Sequence, residues 1–348
     1  MIRRALALLA VCTLGACSGA LPRAATVSGA PQPLGARPAA TLRGATIGFN
    51  VDTPDRAATA QREGITATIL YGSAPGRGTA LTRALAAHRI AVIDGGVSSL
   101  LFRWECYRTL TVKPPPKGYT WCSPSSYSHT IATTAELLRA VKTLLAEDAK
   151  KSYVVGYWVL DDWPWWDWGS AHDVLPQVRA AIAAATPGRP AICGFGAALG
   201  RPGQALWDPG VARNYSNAGC DAVGWYNYSP FGIRHPSKGR GLDWSMKTLL
   251  PAMAKTLERL GWHIRNTPLL GIGQAWSGSY GPGDYQPGLS AEQMVAQAGA
   301  FCRYGATSIG WWAWDDGEFN AATQTPNDSK VIANGLADGI AACRSIWR

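Results

Sequence analysis

Several motifs that mark common classes of protein are absent from this chain of 348 residues. There is no CxxC pair and no His at ligand spacing from a Cys, which argues against a zinc site. No dense run of Lys or Arg occurs, so nucleic acid is not an expected partner, although the formal net charge is +10. No cofactor motif and no Ser-His-Asp order is found. We therefore expect neither a cofactor nor a metal.

The first 16 residues instead have the pattern of a secretory signal. Arg3 and Arg4 precede an apolar run that ends at Leu14 and is too short to span a membrane. Leu14-Gly15-Ala16-Cys17 resembles the bacterial lipobox, which implies cleavage before Cys17 and lipidation of that residue. The alternative is an ordinary signal peptide that is cut nearby. We expect export and a lipid anchor in the cell envelope, with residues 17–44, rich in Ala, Pro and Gly, as a flexible tether.

Cysteine usage agrees with export. Of the eight Cys, Cys12 and Cys17 belong to the amino-terminal segment. The remaining even number suits disulfides in an oxidising compartment. Pairing each Cys with its next neighbour in the chain joins adjacent elements, and this predicts the bonds Cys106–Cys122, Cys193–Cys220 and Cys302–Cys343.

Residues 45–348 alternate short apolar runs with helical patterns, which predicts a single domain with parallel strands and right-handed crossovers. The predicted strands are Thr46–Val51, Ile65–Tyr71, Ile90–Asp94, Tyr153–Leu160, Pro190–Phe195, Asp221–Tyr228, Pro268–Trp276 and Ser308–Trp314. The predicted helices are Asp55–Glu63, Gly78–His88, Thr133–Lys150, Ala171–Ala185, Pro209–Ala218, Trp244–Leu260, Ala291–Tyr304 and Ser329–Ile346. Eight such repeats favour an α/β fold, a single (β/α)8 TIM barrel. A doubly wound sheet is the alternative, but no Gly-rich phosphate loop follows the first strand.

The segment Val97–Ile131 interrupts this alternation after the third strand. It contains Trp104, Pro114–Pro116 and Trp121, and the Cys106–Cys122 bond would staple it. Long insertions at the catalytic face of a barrel often shape a substrate cleft. A surface loop made rigid against proteolysis is an equally good interpretation.

Polar and aromatic residues recur where the predicted strands end. In chain order they are Asn50, Asp52, Tyr71, Asp94, Asp161, Asp162, Tyr226, Asn227, Tyr228, Gln274, Trp276, Trp312, Trp314, Asp315 and Asp316. The carboxyl ends of the strands share one face of a barrel, so these residues would converge there. Each has a plainer interpretation, because Asp52 and Asp94 could cap helices and the aromatic residues could pack in the core.

The fourth strand ends in the adjacent carboxylates Asp161 and Asp162, and Trp163, Trp165 and Trp166 follow closely. Carboxylates transfer protons, and indole faces stack on sugar rings. Desolvation by the tryptophans and repulsion within the pair would raise the pKa of a general acid. The alternative is a helix N-cap beside core tryptophans. The 16 Trp of the chain are likewise typical of carbohydrate contact or of large core residues.

These motifs resemble the (β/α)8 glycoside hydrolases over roughly residues 45–346. Gly156-Tyr157-Trp158-Val159-Leu160-Asp161-Asp162-Trp163-Pro164 resembles their fourth strand, and Gly310-Trp311-Trp312-Ala313-Trp314-Asp315 resembles their eighth, whose Trp often forms the floor of the sugar subsite. The resemblance implies a carbohydrate substrate. It implies Asp161 and Asp162 as catalytic residues and substrate contacts from Asn50, Asp52, Asp94, Trp163, Tyr226, Asn227, Tyr228, Gln274, Trp276, Trp312, Trp314 and Asp315. We also expect a monomer.

One position departs from the large retaining clan of these enzymes, because Gln274 occupies the strand-seven position of the Glu nucleophile. An amide cannot form the glycosyl ester, so double displacement is not expected. The acid pair resembles that of the O-GlcNAcase and β-hexosaminidase enzymes, which implies that Asp161 polarises an acetamido group of the substrate and Asp162 is the general acid/base. An inverting route with Asp162 as acid and Asp315, Asp316 or Asp52 as base is also open. A non-catalytic glycan-binding protein is the alternative, and Gln274 favours it.

Overall fold

The computed structural model describes residues 42–112, 131–161, 171–196, 207–227, 242, 245–279, 285–314 and 324–348. All of them belong to one compact unit, Arg37–Arg348. Several predictions lie outside the described residues. They concern the signal peptide, the lipidation of Cys17, and Cys122, Asp162, Trp163, Tyr228, Asp315 and Asp316.

Eight parallel strands close into a barrel, which confirms the predicted fold class. Each strand overlaps one predicted apolar run and is shorter than the run at one or both ends. Strand β5 also extends one residue past the end of its run, to Gly196. The strands are β1 Thr46–Phe49, β2 Ala67–Leu70, β3 Ala91–Asp94, β4 Val154–Leu160, β5 Ala191–Gly196, β6 Ala222–Tyr226, β7 Leu269–Gln274 and β8 Ser308–Trp312. Every strand pairs with its neighbours in the chain, and β1 pairs with β8 to close the barrel.

The helices cover the outside of the barrel. They are α1 Pro54–Arg62, α2 Ala80–Ala87, α3 Gly96–Val112, α4 Thr134–Asp148, α5 Leu175–Ala185, α6 Trp207–Asn214, α7 Leu250–Arg259, α8 Ala291–Tyr304 and α9 Lys330–Trp347. A 3-10 turn, Ala171–Asp173, precedes α5, and a π-helical turn, Ser245–Leu249, precedes α7. Gly278–Ser279 and Tyr285–Gln286 form a short antiparallel sheet.

Side-chain caps explain where two helices begin. The Thr133 hydroxyl accepts a hydrogen bond from the Glu136 amide, and Glu136 bonds back to the Thr133 amide. Ser290 and Gln293 form the same reciprocal box at α8. Both boxes satisfy amides that have no partner within the helix.

Helix α3 forms the first part of the segment that was predicted to interrupt the alternation after β3. Val97, Leu101 and Trp104 are buried at helical spacing. Leu100 and Phe102 lie between them and are also packed against the core, so no clean amphipathic stripe marks the helix. The chain after β3 therefore begins with a helix, which runs to Val112.

Two predicted disulfides are present. Cys193 of β5 is bonded to Cys220, just before β6, with the two Cα atoms 5.8 Å apart. Cys302 of α8 is bonded to Cys343 of α9, with a Cα–Cα distance of 5.5 Å. Cys106 is also disulfide-bonded, but its predicted partner lies outside the described residues. The bonds link elements that are adjacent in the barrel, as the pairing rule assumed.

The folded part begins earlier than the predicted boundary at residue 45. The Leu42 side chain is buried in the barrel interior with Ile47 and Phe49. The Gly44 amide donates to the Thr307 carbonyl at 2.7 Å. Leu42 therefore belongs to the barrel and not to a tether.

Among the described helices, none has the length and apolar character needed to cross a membrane.

Candidate functional site

Asp161 lies immediately after β4 at the carboxyl end of the barrel and is half-buried. Its Oδ1 atom accepts a hydrogen bond from Tyr226 Oη at 2.6 Å and another from Trp158 Nε1 at 3.0 Å. Tyr71 Oη lies 2.9 Å from Tyr226 Oη. Side chains from the ends of β2, β4 and β6 thus meet around one carboxylate. We call Tyr71, Trp158, Asp161 and Tyr226 the Asp161 cluster.

Two glycines determine where Trp158 lies. A Cβ atom on Gly194 of β5 would lie 2.1 Å from the Trp158 ring, and one on Gly224 of β6 would lie 2.6 Å from it. The indole fills space that side chains of β5 and β6 would otherwise occupy in the barrel interior. Its N–H is thereby directed towards the strand end, where it reaches Asp161.

Phe49, the last residue of β1, supports the cluster from within the barrel. Its ring centroid is 5.6 Å from that of Trp158, 5.5 Å from that of Tyr226 and 6.0 Å from that of Tyr71. Phe49 is fully buried, whereas 39% of the Tyr71 surface is exposed. The cluster therefore has an apolar base and an exposed aromatic residue at its edge.

Burial raises the pKa of the Asp161 carboxyl. The hydrogen bonds from Tyr226, Trp158 and Tyr71 oppose this effect and lower the pKa, because they stabilise the carboxylate. Burial outweighs these bonds. Since Trp158 and Tyr226 both bond to Oδ1, the carboxyl group is held in one orientation, which suits a group that must align or polarise a ligand.

Asn50 supports this arrangement through the backbone. It follows β1 in the left-handed region, with φ 59°, which Asn tolerates better than most residues. Its Oδ1 atom accepts a hydrogen bond from the Tyr71 amide at 3.4 Å. Asn50 therefore lies beside the Asp161 cluster and positions the end of β2.

A second group of predicted residues gathers after β7 and β8. The rings of Trp276 and Trp312 pack edge to face with centroids 5.5 Å apart. The Gln274 amide nitrogen donates to the carbonyl oxygens of Trp276 at 2.9 Å and Pro287 at 3.0 Å. Trp276 and Gln274 are about 1% exposed and Trp312 6%. Gln274 thus holds the loop after β7 in place.

Asn227 is brought to the same end of the barrel but is buried among protein groups. Its Oδ1 atom accepts a hydrogen bond from the Ser245 hydroxyl. Its carbonyl accepts one from Gln297 Nε2 at 2.7 Å. These contacts tie the end of β6 to the segment before α7 and to α8, and they give Asn227 a structural role.

Three further predicted substrate contacts, Asp94, Asp52 and Trp314, also lie outside the Asp161 cluster. The carboxylate of Asp94 is completely buried and accepts hydrogen bonds from the Ala74 and Gly96 amides. Burial, reinforced by the Asp148 charge, raises the Asp94 pKa to about 7. Asp52 is exposed and pairs with Arg56.

Trp314 is the third. It is fully buried in the layer between strands and helices. A Cβ atom on Gly48 would lie 2.8 Å from its ring, so the indole fills the space over that glycine. Trp312 packs inside the barrel and Trp314 outside it. A direct contact between Trp314 and a substrate stays a prediction, and the complete burial of the Trp314 side chain argues against it.

Sequence reasoning placed Tyr71 at the predicted face but assigned no site role to Trp158 or Phe49. Trp158 lies within a strand that was interpreted as core. A signal for it was present, because Gly194 and Gly224 stand in the middle of two neighbouring strands and leave space for a large residue. No group of three or more His, Cys, Asp or Glu side chains that could hold a metal occurs among the residues described above.

The barrel is similar to solved glycoside hydrolases. A β-galactosidase from the psychrophilic Marinomonas ef1 aligns with TM-score 0.51 and 11% identity, over 86% of this chain and 58% of that one. A Ruminococcus gnavus β-glucuronidase aligns with TM-score 0.49 and 13% identity, over 88% of this chain. A chitinase from Chromobacterium violaceum ATCC 12472 aligns with TM-score 0.47 and 11% identity, over 85% of this chain and 99% of that one.

These likenesses concern the fold. This chain spans about half the length of the Ruminococcus enzyme, with 50% of it covered. No family model matches the sequence, and no curated protein does. The TIM-barrel architecture of the glycoside hydrolases is shown, and the chemistry has to be argued from the site.

Proposed function

We propose that this protein is an exported, lipid-anchored glycoside hydrolase that cleaves glycosidic bonds of a cell-surface or environmental glycan. One observation carries the proposal: a half-buried carboxylate at the carboxyl end of β4 is oriented by the side chains of Tyr226 and Trp158. In TIM barrels this end of the strands is where active sites are built. The barrel's likeness to solved glycoside hydrolases supports the same class.

The substrate-assisted route fits the fixed orientation of Asp161. A carboxylate whose Oδ1 atom is held by two donors would leave Oδ2 to align and polarise an acetamido group of the substrate. The acetamide oxygen then attacks the anomeric carbon, while Asp162 protonates the departing oxygen and later accepts a proton from water. Asp161 is therefore assigned the orienting role and Asp162 the general acid/base role.

The inverting route has less support among the described residues. It needs a general base on the opposite side of the sugar from Asp162. Asp52 is the one candidate base in the described part of the chain, and Arg56 already pairs with it in an exposed position. An exposed carboxylate that already has a cation as its partner is a poor candidate for a general base.

A non-catalytic glycan-binding protein is the second candidate. Gln274 favours it, because both observed bonds of its amide nitrogen go to loop carbonyls. The strand-seven position thus stabilises the fold instead of supplying a nucleophile. Such a protein would keep the exposed aromatic edge at Tyr71 without needing Asp162.

Hydrolysis of aryl glycosides with and without a 2-acetamido group tests these candidates. We expect wild type to cleave only the 2-acetamido substrates, Asp162→Asn to lose turnover by about 10²–10⁴-fold, and Asp52→Asn to retain it. Loss of turnover in Asp52→Asn would instead support inversion. Glycan binding without turnover in wild type would support the binding protein.

Export and the anchor need their own experiment. Metabolic labelling with a radioactive fatty acid should label the full chain in a bacterial host and should not label Cys17→Ser. Equal labelling of the two chains would contradict lipidation at Cys17.

A further inference from the structure

The amino-terminal end of the barrel, where helices lead back into strands, is strongly basic. Exposed cations lie in the last turns of helices, in the connections that follow them, and at the two chain segments that enter and leave the barrel. They are Arg43, Arg62, Arg89, Lys150, Arg213, Arg259, Arg265, Arg303, Arg344 and Arg348. Among the described residues of these same segments, the exposed acids are Glu147 and Glu258. We call this set of segments the basic end.

Contacts between its segments show that the basic end is one surface. The Gly44 amide donates to the Thr307 carbonyl at 2.7 Å, which joins the entry to β1 and the connection before β8. Arg344 donates to the Gly64 carbonyl at 3.2 Å, and Trp347 donates to the Ala306 carbonyl at 2.8 Å. These contacts join the segments before β1, β2 and β8, and the parallel strands of the closed barrel bring the other helix-to-strand connections to the same end.

Helix stability explains only part of this charge. Lys and Arg in the last turn of a helix interact favourably with its dipole, which accounts for Arg62, Arg259 and Arg303. Arg43, Arg89 and Arg265 lie in connections outside the helices, and all three are exposed. Their presence has no such structural reason.

The chain enters the barrel at this same end. Leu42 is 2% exposed in the barrel interior, and its neighbour Arg43 belongs to the basic end. The proposed lipid anchor at Cys17 is therefore attached to the barrel through the part of the chain that enters at the basic end.

We propose that the basic end lies against anionic phospholipid headgroups of the membrane and directs the Asp161 cluster away from it. Each Lys or Arg near an anionic surface strengthens binding about fivefold. The attraction falls off within a Debye length, about 10 Å at 0.1 M salt. The inference does not depend on glycosidase activity, but it rests on the proposed lipid anchor at Cys17 as well as on charge and topology.

Sedimentation with vesicles tests the inference on the full chain. The probes are vesicles of phosphatidylcholine alone and of phosphatidylcholine with about one third phosphatidylglycerol. We expect tighter binding to the anionic vesicles, lost at about 0.5 M NaCl. The triple variant Arg43→Gln, Arg89→Gln, Arg265→Gln should reduce the affinity for anionic vesicles on the order of 100-fold.

A matched variant removes the same charge from the other end. Arg77, Arg139 and Lys330 are exposed and lie before α2, in the second turn of α4 and at the start of α9. Their triple replacement by Gln should change the affinity less than about threefold, because these positions would face away from the membrane. All chains share one amino terminus, so any contribution of the signal segment cancels.

Three outcomes would overturn the inference. The first is equal binding to both kinds of vesicle, and the second is an equal loss in the two triple variants, which would indicate attraction through net charge alone. The third is tighter binding to soluble poly(glycerol phosphate) than to anionic vesicles at equal phosphate concentration. That result would assign the basic end to an anionic envelope polymer.

Discussion

Asp221 at the amino-terminal end of the barrel and the Asp161 cluster at the carboxyl end use polar side chains in opposite ways. At the amino-terminal end they satisfy the fold, as Asp221 does by accepting hydrogen bonds from the Ala191 amide at 3.0 Å and from Arg179 at 2.8 Å. At the carboxyl end the polar groups of the Asp161 cluster bond to one another instead, and Tyr71 at its edge is 39% exposed. Polar groups that are not needed by the backbone can serve a ligand. The comparison agrees with the usual division in TIM barrels, where active sites lie at the carboxyl ends of the strands.

The largest effect on stability is expected at the amino-terminal end. Asp221→Ala leaves the Ala191 amide without its acceptor and the half-buried Arg179 without its counter-ion. Breaking a buried ion pair from one side costs about 3–5 kcal/mol. Urea unfolding should show that loss, whereas turnover per folded molecule should stay at the wild-type level.

Arg303→Gln is the control, because Arg303 is an exposed cation at the same end. Its free energy of unfolding should change by less than about 1 kcal/mol. A fall in turnover per folded Asp221→Ala molecule would show that the two ends are not separate.

Tyr226→Phe tests the carboxyl end, where we expect a large effect on turnover and a small effect on stability. It removes the hydroxyl that donates to Asp161 Oδ1 at 2.6 Å while the ring contacts with Phe49 and Trp158 stay. We expect kcat/KM to fall by about 10–100-fold, since a charge-assisted hydrogen bond is worth about 1.5–3 kcal/mol. The free energy of unfolding should change far less than in Asp221→Ala.

The same variant has a pH signature. The Tyr226 bond lowers the Asp161 pKa, so its removal raises the pKa further. If Asp161 acts as a carboxylate, the acidic limb of the kcat/KM profile should move to higher pH. An unchanged limb together with reduced kcat/KM would show that Tyr226 does not act through Asp161.

Glu63 gives a smaller effect at the amino-terminal end. Burial raises its pKa from 4.5 to about 8, although the Arg62 charge opposes this. Between these values the folded protein keeps a proton that the unfolded chain releases, so stability falls as pH rises, by up to about 1.4 kcal/mol for each pH unit. Chemical denaturation of wild type from pH 5 to 8 should show this decline, and Glu63→Gln should make it shallower while the part due to Asp94 remains. A parallel decline in both chains would contradict the assignment.

The barrel could be predicted from the sequence because alternating apolar runs and helical patterns carry most of the information about strand order. Each strand overlaps its predicted run, and α8 has the predicted bounds Ala291–Tyr304. Asp161 was also predictable, since a carboxylate directly after a buried strand of a barrel must lie at the carboxyl end. Local pattern was sufficient in these cases.

Contacts between distant residues could not be predicted in this way. Tyr71 and Tyr226 are 155 positions apart, and no local pattern indicates that their hydroxyls meet. Strand β8 ends at Trp312, two residues before the predicted strand end. Trp314 therefore does not follow the alternation of the strand, and it packs outside the barrel whereas Trp312 packs inside. The amide of Gln274 bonds to the carbonyl oxygens of Trp276 and Pro287, and no local pattern indicates the second of these contacts.

Hydrolysis of an aryl 2-acetamido glycoside by Asp161→Asn is the most direct test of the central claim, that the carboxylate of the Asp161 cluster serves catalysis. The substitution keeps the size of the side chain and removes its charge. We predict a loss of turnover of at least about 10²-fold in a protein that unfolds at the same urea concentration as wild type. Wild-type turnover by Asp161→Asn would contradict the claim.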